Sequence, residues 1–216
     1  MIAHLVQDKF RRSDKENGPM RPLRTDGRPA ETLSARMTGW LTWSRNRQYV
    51  DWVVSQLNVQ PYQHILEVGY GPGHILEEVG RALKIGFLAG IEAALPLYQQ
   101  AYRRNRRFIR QQLTQLHIGE LYELSYPSNY FHTIYGSNIH SSWKDPQAEF
   151  IRLSGLLKNR GRLVMLFQPR TRKDAGIREA AERIEEDYRQ AGLTNIRIEY
   201  REMYPATCIS ATGFKA

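Results

Sequence analysis

Cysteine and long apolar segments are scarce in this chain, and both shortages narrow what it can be. The 216 residues include a single cysteine, Cys208, so no intrachain disulfide can form. The apolar runs are short, as in 163–167, and fall well below the length of a membrane-spanning helix. Residues 1–18 carry charges where a secretion signal would need an apolar centre. We therefore expect a protein of the reducing cytoplasm, without a membrane span.

Two kinds of binding motif are also missing. No group of histidines and cysteines has the spacing of a zinc site, so no metal site is predicted. The glycine-rich segment 69–73 is not followed by Gly-Lys-Ser or Gly-Lys-Thr, which a phosphate-binding loop would need. Zinc proteins and P-loop nucleotidases are therefore disfavoured.

What the chain does have is a formal net charge of +9 and an apolar fraction of 41%, enough for one core. Part of the charge lies in residues 1–30, where prolines and glycines dilute the basic side chains, and we predict a flexible leader there. Another part is an arginine cluster in 103–110. This cluster is either a surface for nucleic acid or phosphate, or a solvated helix face. The second interpretation is favoured, because no stacking aromatic residues interleave the arginines.

The rest of the chain divides into a short segment and one domain. Residues 31–45 place Trp40, Trp43 and other apolar side chains at roughly helical spacing, which predicts either a helical cap over a pocket or a plain packing helix. Residues 46–216 are the main predicted domain, in which helical and strand patterns alternate. Helices are expected at 46–57, 75–83, 95–112, 145–157 and 177–191, and strands at 65–68, 86–91, 113–118, 131–137, 162–168, 196–203 and 207–212.

This alternation predicts an α/β fold with a doubly wound, mainly parallel seven-stranded sheet. A ligand would then bind at the carboxyl ends of the strands. The last two strands are close enough in sequence to pair antiparallel. A turn is expected at 158–161 before the fifth strand, and Gly192 occupies the position of a left-handed helix cap.

The run Glu-Val-Gly-Tyr-Gly-Pro-Gly, which starts at Glu67, follows the first predicted strand and is the strongest functional signal. Its glycines let the backbone approach a ligand without a Cβ in the way, and the next helix presents free amides. A dinucleotide fingerprint would need its third glycine at position 74, which is His74, whereas Gly73 comes one residue early. A carboxylate at Glu67 would repel a pyrophosphate, but it suits a ligand with a positive amine or sulfonium.

A second acid, Glu92, ends the second predicted strand. In a nucleotide site, a carboxylate at this place can accept hydrogen bonds from both ribose hydroxyls. Glu92 together with the glycine run therefore predicts a nucleoside cofactor that carries a positive charge.

These features resemble the successive motifs of class I S-adenosylmethionine-dependent methyltransferases. The matching segments are 67–73, Glu92, 119–121, 131–138 and 156–161. The resemblance covers roughly residues 46–212 and is strongest to small single-domain enzymes that act on small molecules. In those enzymes the fourth strand is followed by a segment containing Asn, His and Trp, here 138–143. The resemblance implies a Rossmann-like fold, to which the predicted helical segment 31–45 would add an N-terminal cap.

The resemblance also implies where S-adenosylmethionine, and its product S-adenosylhomocysteine, would bind. The residues concerned are Glu67, Gly69, Tyr70, Gly71, Gly73, Glu92, Ala93, Gly119, Glu120, Leu121, Asn138 and Ile139. Glu67 and the glycine turn would hold the methionine moiety, Glu92 the ribose, and Glu120 with Leu121 the adenine. Asn138 and its neighbour would line the methionine side near the departing methyl.

Three positions depart from the family's pattern. His132 stands where an Asp commonly follows Phe in the fourth strand, Arg160 precedes Gly161 where Gly-Gly is usual, and Glu92 replaces a more frequent Asp. None of these removes a feature that the cofactor requires. Cys208 lacks the preceding Pro of cytosine-methylating enzymes, and no Asn-Pro-Pro-Tyr-like run follows the fourth strand. Both absences disfavour the nucleic-acid methyltransferases that use those motifs.

The implied mechanism is in-line displacement at the sulfonium methyl by a nucleophile on the acceptor. His140, just beyond the fourth strand, is the candidate general base; the alternative is a structural histidine that bonds to its loop. The candidate acceptor pocket consists of Trp40, Trp43, Trp143 and Tyr204, although each aromatic ring could instead seal the core.

Three functions stay open. The leading hypothesis is methyl transfer to a small-molecule acceptor. The second is an RNA or other nucleic-acid methyltransferase that uses the basic leader and the arginine helix. The third is a protein that binds the cofactor without catalysis.

Overall fold

The computed structural model describes residues 47–169, 173–204 and 207–216. The predicted leader and cap, with Trp40 and Trp43, lie outside the described residues. Predictions about those two segments therefore stay predictions.

Helices and strands alternate along the described chain, as the sequence predicts. The helices are α1 (Arg47–Leu57), α2 (His74–Ala82), α3 (Leu95–Arg110), α4 (Pro146–Leu156) and α5 (Asp174–Gln190). The strands are β1 (His64–Val68), β2 (Phe87–Glu92), β3 (Thr114–Ile118), β4 (Phe131–Ser137), β5 (Leu157–Phe167), β6 (Leu193–Arg201) and β7 (Cys208–Lys215). Short 3-10 turns follow β3 at Leu121–Glu123 and β4 at His140–Ser142.

The seven strands form one sheet in the order β3-β2-β1-β4-β5-β7-β6. Strands β1 to β5 are parallel, and β7 runs antiparallel to both of its neighbours. The predicted doubly wound, mainly parallel sheet with a C-terminal antiparallel pair is confirmed. Strands β2 and β3, which follow β1 in the chain, lie on one side of it, and the strands that follow β4 lie on the other side. The boundary between β1 and β4 is therefore the topological switch point. Open α/β sheets bind ligands at the carboxyl ends of the strands at this point.

The two faces of the sheet carry separate cores because side chains alternate along each strand. Ile65 and Tyr135 point to the face covered by α1 and α2, and they pack with Tyr49 of α1. Leu66 and Ile134 point to the other face, where α4 and α5 cover them. The 3.6-residue periodicity of the helices and the two-residue periodicity of the strands therefore bury the same apolar residues that predicted these elements.

Helix boundaries follow local chemistry. Helix α4 starts at Pro146, and the Asp145 carboxylate caps it by accepting the amide of Ala148 at 3.0 Å. Helix α5 ends just before Gly192, whose φ of +76° confirms the predicted left-handed position.

The fifth strand differs from its prediction. It starts at Leu157 and continues through 158–161, where a turn was expected. Its pairing with β4 passes from Phe131↔Leu157 directly to Thr133↔Arg162. Residues 158–161 of β5 therefore lie opposite a single residue of β4 and form a bulge. Arg160 has a φ of +61° within this bulge. The segment predicted as a turn therefore lies within the bulge, between Leu157 and Arg162, which both pair with β4.

No helix in the described part of the chain is long and apolar enough to cross a membrane. Among the same residues, no group of three or more His, Cys, Asp and Glu side chains is placed to hold a metal ion.

Candidate functional site

The glycine turn lies between β1 and α2, at the carboxyl end of the sheet. Gly69, Gly71 and Gly73 have φ values of +70°, +52° and +75°, which L-amino acids with a Cβ rarely adopt. The Gly69 amide donates to the Ile91 carbonyl at 2.8 Å, and the Gly73 amide donates to Tyr70 at 3.0 Å. The backbone of this turn is therefore fixed, and its shape depends on glycine at each of the three places.

Neighbouring side chains occupy the space above two of these glycines. A Cβ on Gly69 would lie 2.8 Å from Cδ1 of Ile139, and a Cβ on Gly73 would lie 2.6 Å from Nδ2 of Asn105 and 2.9 Å from Cβ of Ala101. The sequence suggested glycines that let a ligand approach. The structure shows that Gly69 and Gly73 also admit Ile139 and α3 to the turn.

Glu67 is a fully buried carboxyl group at the end of β1. Its Oε2 accepts a hydrogen bond of 2.7 Å from the Tyr135 hydroxyl, while its buried Oε1 has no hydrogen-bond partner among the described residues. Burial raises the pKa of Glu67 to about 8; the Tyr135 hydrogen bond opposes this shift, and the nearby charge of Glu92 adds to it. A buried acceptor oxygen without a partner beside a glycine turn is a place for a donor from a ligand.

Glu92 connects the end of β2 to the same turn. Its Oε2 accepts the Gly71 amide at 3.0 Å, and its Oε1 accepts the Ala94 amide at 2.9 Å. A carboxylate oxygen can accept more than one hydrogen bond. The carboxylate is therefore held in a fixed orientation at the rim of the site, and Ala93 lies exposed beside it.

The segment after β3 forms the next wall. The Gly119 amide donates to the Glu92 carbonyl at 3.0 Å, and the Glu120 amide donates to Oε2 of Glu123 at 2.7 Å. Leu121 is buried and Glu120 is exposed.

Arg152 of α4 anchors this wall, and no sequence pattern pointed to it. Its guanidinium donates to three backbone carbonyls, those of Leu121 at 3.2 Å, Tyr122 at 2.6 Å and Leu124 at 3.2 Å. Its planar fork of donors suits such a set of acceptors.

Asn138 follows β4 with a φ of +54° and is bonded on three sides. Its amide donates to Leu166 at 2.8 Å, its Oδ1 accepts the Gln168 amide at 2.9 Å, and its Nδ2 donates to the Tyr49 hydroxyl at 3.3 Å. The Tyr49 hydroxyl also pairs with Oγ of Ser137 at 2.8 Å. Tyr49 appeared in the sequence only as one apolar position of a helix, yet it brings α1 into the wall of the site.

His140 packs its ring edge-on against Phe167, with centroids 4.3 Å apart. Its Nδ1 is buried and has no hydrogen-bond partner among the described residues. Burial lowers the pKa of His140 to about 4, so the imidazole is neutral at pH 7. A neutral imidazole can accept a proton, although a lowered pKa makes it a weak base.

The remaining candidate residues lie in different surroundings. Trp143 packs edge-on against Phe150 at 5.0 Å on the core that α4 covers, and Tyr204 is 87% exposed. His132 lies near the amino ends of β1 and β4, where its Nδ1 accepts the His64 amide at 2.9 Å. His132, which replaces the Asp common in the family's fourth strand, therefore lies at the opposite end of these strands from the glycine turn.

Comparisons with known proteins agree on the fold. No family profile matches the chain. The uncharacterized methyltransferase YdaC of Bacillus subtilis is 24% identical over 182 residues, which cover 83% of this chain and 98% of YdaC.

Two solved structures illustrate the range of similar proteins. Phosphoethanolamine N-methyltransferase 2 of Haemonchus contortus, in complex with phosphomonomethylethanolamine and S-adenosylhomocysteine, matches with a TM-score of 0.64 and 12% identity, covering 78% of this chain and 52% of that one. The tRNA (m1A58) methyltransferase TrmI of Aquifex aeolicus matches with a TM-score of 0.56 and 16% identity, covering 77% and 68%. Since one acts on a small molecule and the other on RNA, the shared fold leaves the class of acceptor undecided.

Proposed function

We propose that this chain, a class I S-adenosylmethionine-dependent methyltransferase by its fold and its curated relative, transfers the sulfonium methyl to a small-molecule acceptor. The observation that supports the cofactor is Glu67, a buried carboxyl group beside the glycine turn at the switch point of the sheet, one oxygen of which has no hydrogen-bond partner among the described residues. A cofactor with a positive amine and a sulfonium would supply the missing partner and offset the cost of a buried charge.

The described residues fit this cofactor at each part of its length. Glu67 and the glycine turn would hold the methionine moiety. Glu92, held by two backbone amides, would accept the ribose hydroxyls, and Glu120 with Leu121 would contact the adenine. Asn138 and its neighbour Ile139, which packs over Gly69, would line the methionine side.

When bound, the cofactor supplies an electrophilic methyl group, and the protein has mainly to align the acceptor and exclude water. Asn138 is suited to alignment because its three hydrogen bonds fix its side chain and backbone. Trp143 and Tyr204, with Trp40 and Trp43, remain the candidate acceptor contacts.

The small-molecule acceptor is favoured by the resemblance to small single-domain enzymes and by the absence of an Asn-Pro-Pro-Tyr-like run after β4. Methylation of nucleic acid is a second candidate, which the exposed arginines of α3 favour. A cofactor-binding protein without activity is the third.

Calorimetry with S-adenosylmethionine and S-adenosylhomocysteine tests the cofactor, and a methyl-transfer screen of amines, phenols, thiols and RNA tests the acceptor. We expect binding of both nucleosides and turnover on a small molecule that Glu67→Ala abolishes. Absence of binding would reject the methyltransferase assignment. Turnover on RNA alone would replace the small-molecule acceptor, and binding without turnover would favour the third candidate.

We predict that His140→Gln lowers kcat about a hundredfold or more for an acceptor that must lose a proton, with cofactor affinity unchanged. Because the pKa of His140 is lowered to about 4, its neutral form prevails throughout pH 5–8. This residue should therefore add no inflection to the pH–rate profile in that range. A variant that loses thermal stability but keeps kcat would assign His140 a structural role.

We predict that Arg152→Met weakens cofactor binding about tenfold and leaves kcat at saturation nearly unchanged. The reason is that three backbone carbonyls of the adenine-side wall lose their donor while the aliphatic stem is largely kept. Titration calorimetry and steady-state kinetics separate the two effects. Arg183→Met on α5, where the arginine forms an exposed ion pair with Glu179, is the control. A fall in kcat with unchanged affinity would contradict the prediction.

A further inference from the structure

The outward face of α3 carries a concentrated positive charge. Leu97, Ala101 and Phe108 dock the helix on the sheet, which fixes its opposite side toward solvent. The helix contains no acidic residue. Its solvent-exposed arginines are Arg103, Arg104, Arg106, Arg107 and Arg110.

Four of these five arginines, all except Arg104, have no carboxylate partner among the described residues. Arg104 donates to the Pro72 carbonyl at 3.1 Å and to Glu77 at 3.4 Å, and the guanidinium of Arg107 lies 6.0 Å from the ring centroid of Phe108. Glu77 is shared with Arg81, so it offers little to the rest. By contrast, Arg183 and Arg189 of α5 each pair with a glutamate of their own helix.

Like charges three and four positions apart on a helix repel one another, and α3 has several such pairs, for example Arg103 with Arg107 and Arg106 with Arg110. The repulsion costs stability, and no carboxylate among the described residues pairs with Arg103, Arg106, Arg107 or Arg110 to offset it. A ligand with regularly spaced negative charges would relieve it.

Aromatic side chains adjoin the arginines on the same helix. The rings of Tyr98 and Tyr102 lie 6.0 Å apart, and Tyr102 is 47% exposed. A hollow of about 290 Å³ is lined by Tyr98, Gln99, Tyr102 and Arg103. In sequence these tyrosines precede the arginines and do not interleave them, but the turn of the helix brings Tyr102 beside the charged face.

We propose that this face of α3, hereafter the arginine face, binds single-stranded nucleic acid. The arginines would contact phosphates, and the hollow at Tyr102 and Arg103 would receive a base between an aromatic ring and a guanidinium. A membrane surface would require aliphatic side chains among the cations, and the exposed residues between Gln99 and Arg107 include none.

Two full-length variants with equal net charge test the proposal. In the first, Arg103, Arg106, Arg107 and Arg110 are replaced by glutamine; in the control, Arg47, Arg178, Arg183 and Arg189 are replaced by glutamine. Binding of labelled polyuridine RNA is measured by fluorescence anisotropy at several salt concentrations. Circular dichroism checks that both variants fold.

The first variant should bind at least tenfold more weakly at low salt. Its plot of log affinity against log salt should be shallower by about 3, because each contact to a single-stranded phosphate contributes about 0.7 to the slope. The control should keep most of the wild-type slope. Equal slopes for both variants would overturn the proposal.

Variants of Tyr102 distinguish the binding of nucleic acid from the binding of other polyanions. Tyr102→Ala should weaken RNA binding about fivefold or more, and Tyr102→Phe should restore it, because stacking needs only the ring. A matched DNA strand shows whether the sugar matters. The proposal would be rejected if heparin or anionic vesicles bound as tightly as RNA and Tyr102→Ala had no effect. The arginine face would then be a general polyanion surface. None of these binding measurements depends on methyl transfer, so their outcome is distinct from that of the proposed function.

Discussion

Glu67→Gln should make the ligand-free protein more stable than the wild type at pH 8, while weakening S-adenosylmethionine binding at least tenfold. The pKa of Glu67 is raised from its ordinary value of 4.5 to about 8 by burial. The folded state therefore takes up a proton between these values. The contribution of protonated Glu67 to the free energy of unfolding is fully present below pH 4.5. It is lost as the pH rises to 8, by about 1.4 kcal/mol per pH unit. Glutamine carries no charge and escapes this loss.

Four groups face this carboxyl group from the elements packed around it. Tyr135 of β4 donates to it, Glu92 of β2 and Tyr70 of the turn interact with its charge, and so does Tyr49 of α1. None of these is a cation, so within the described residues nothing positive stabilises the ionised form. A positive ligand would do so, and its binding near pH 7 should release a proton.

Urea denaturation between pH 5 and 8 measures the first effect, and calorimetry in buffers of different ionisation enthalpy measures the second. The exposed Glu182 of α5, changed to glutamine, is the control and should follow the wild-type pH dependence. Parallel stability curves for the wild type and Glu67→Gln would show that Glu67 is ionised in the folded protein. Cofactor binding near pH 7 would then release no proton from Glu67.

Gly73→Ala should destabilise the protein by about 3 kcal/mol and abolish measurable cofactor binding. The residue has a φ of +75°, so a Cβ is strained there whatever the space. The added atom would also lie 2.6 Å from Nδ2 of Asn105 and 3.1 Å from the backbone Cα of Ala101. Displacing Asn105 breaks its bond of 3.1 Å to the Gly73 carbonyl, which ties α3 to the glycine turn.

Gly155→Ala provides the opposite result in the same chain. This glycine lies exposed in α4, and a Cβ there would meet nothing within 4 Å. Alanine should therefore stabilise the protein by about 0.5–1 kcal/mol through its higher helix propensity. Thermal or urea unfolding of both variants checks that Gly73→Ala lowers the free energy of unfolding and that Gly155→Ala raises it. A Gly73→Ala protein as stable as the wild type would show that the turn can relax.

The fold and the glycine turn of the candidate site could be predicted because their signals are local. Helical and strand periodicities, Gly192 as a cap and the run from Glu67 to Gly73 each lie within a few neighbouring residues. Such patterns fix which side chains must be buried and where the backbone needs a positive φ. The parallel direction of the first five strands followed from their alternation with helices, since parallel strands need crossover connections.

The tertiary structure alone decided how these parts are held together. Tyr135 reaches Glu67 from another strand, Tyr49 reaches Asn138 from α1, and Arg152 holds the wall after β3 from α4. Each contact joins residues far apart in sequence, and no local period encodes such a pair. The same holds for the electrostatics: the sequence determines that an acid stands before the glycines, whereas complete burial, which only the packed fold produces, determines that this acid binds a proton near neutral pH.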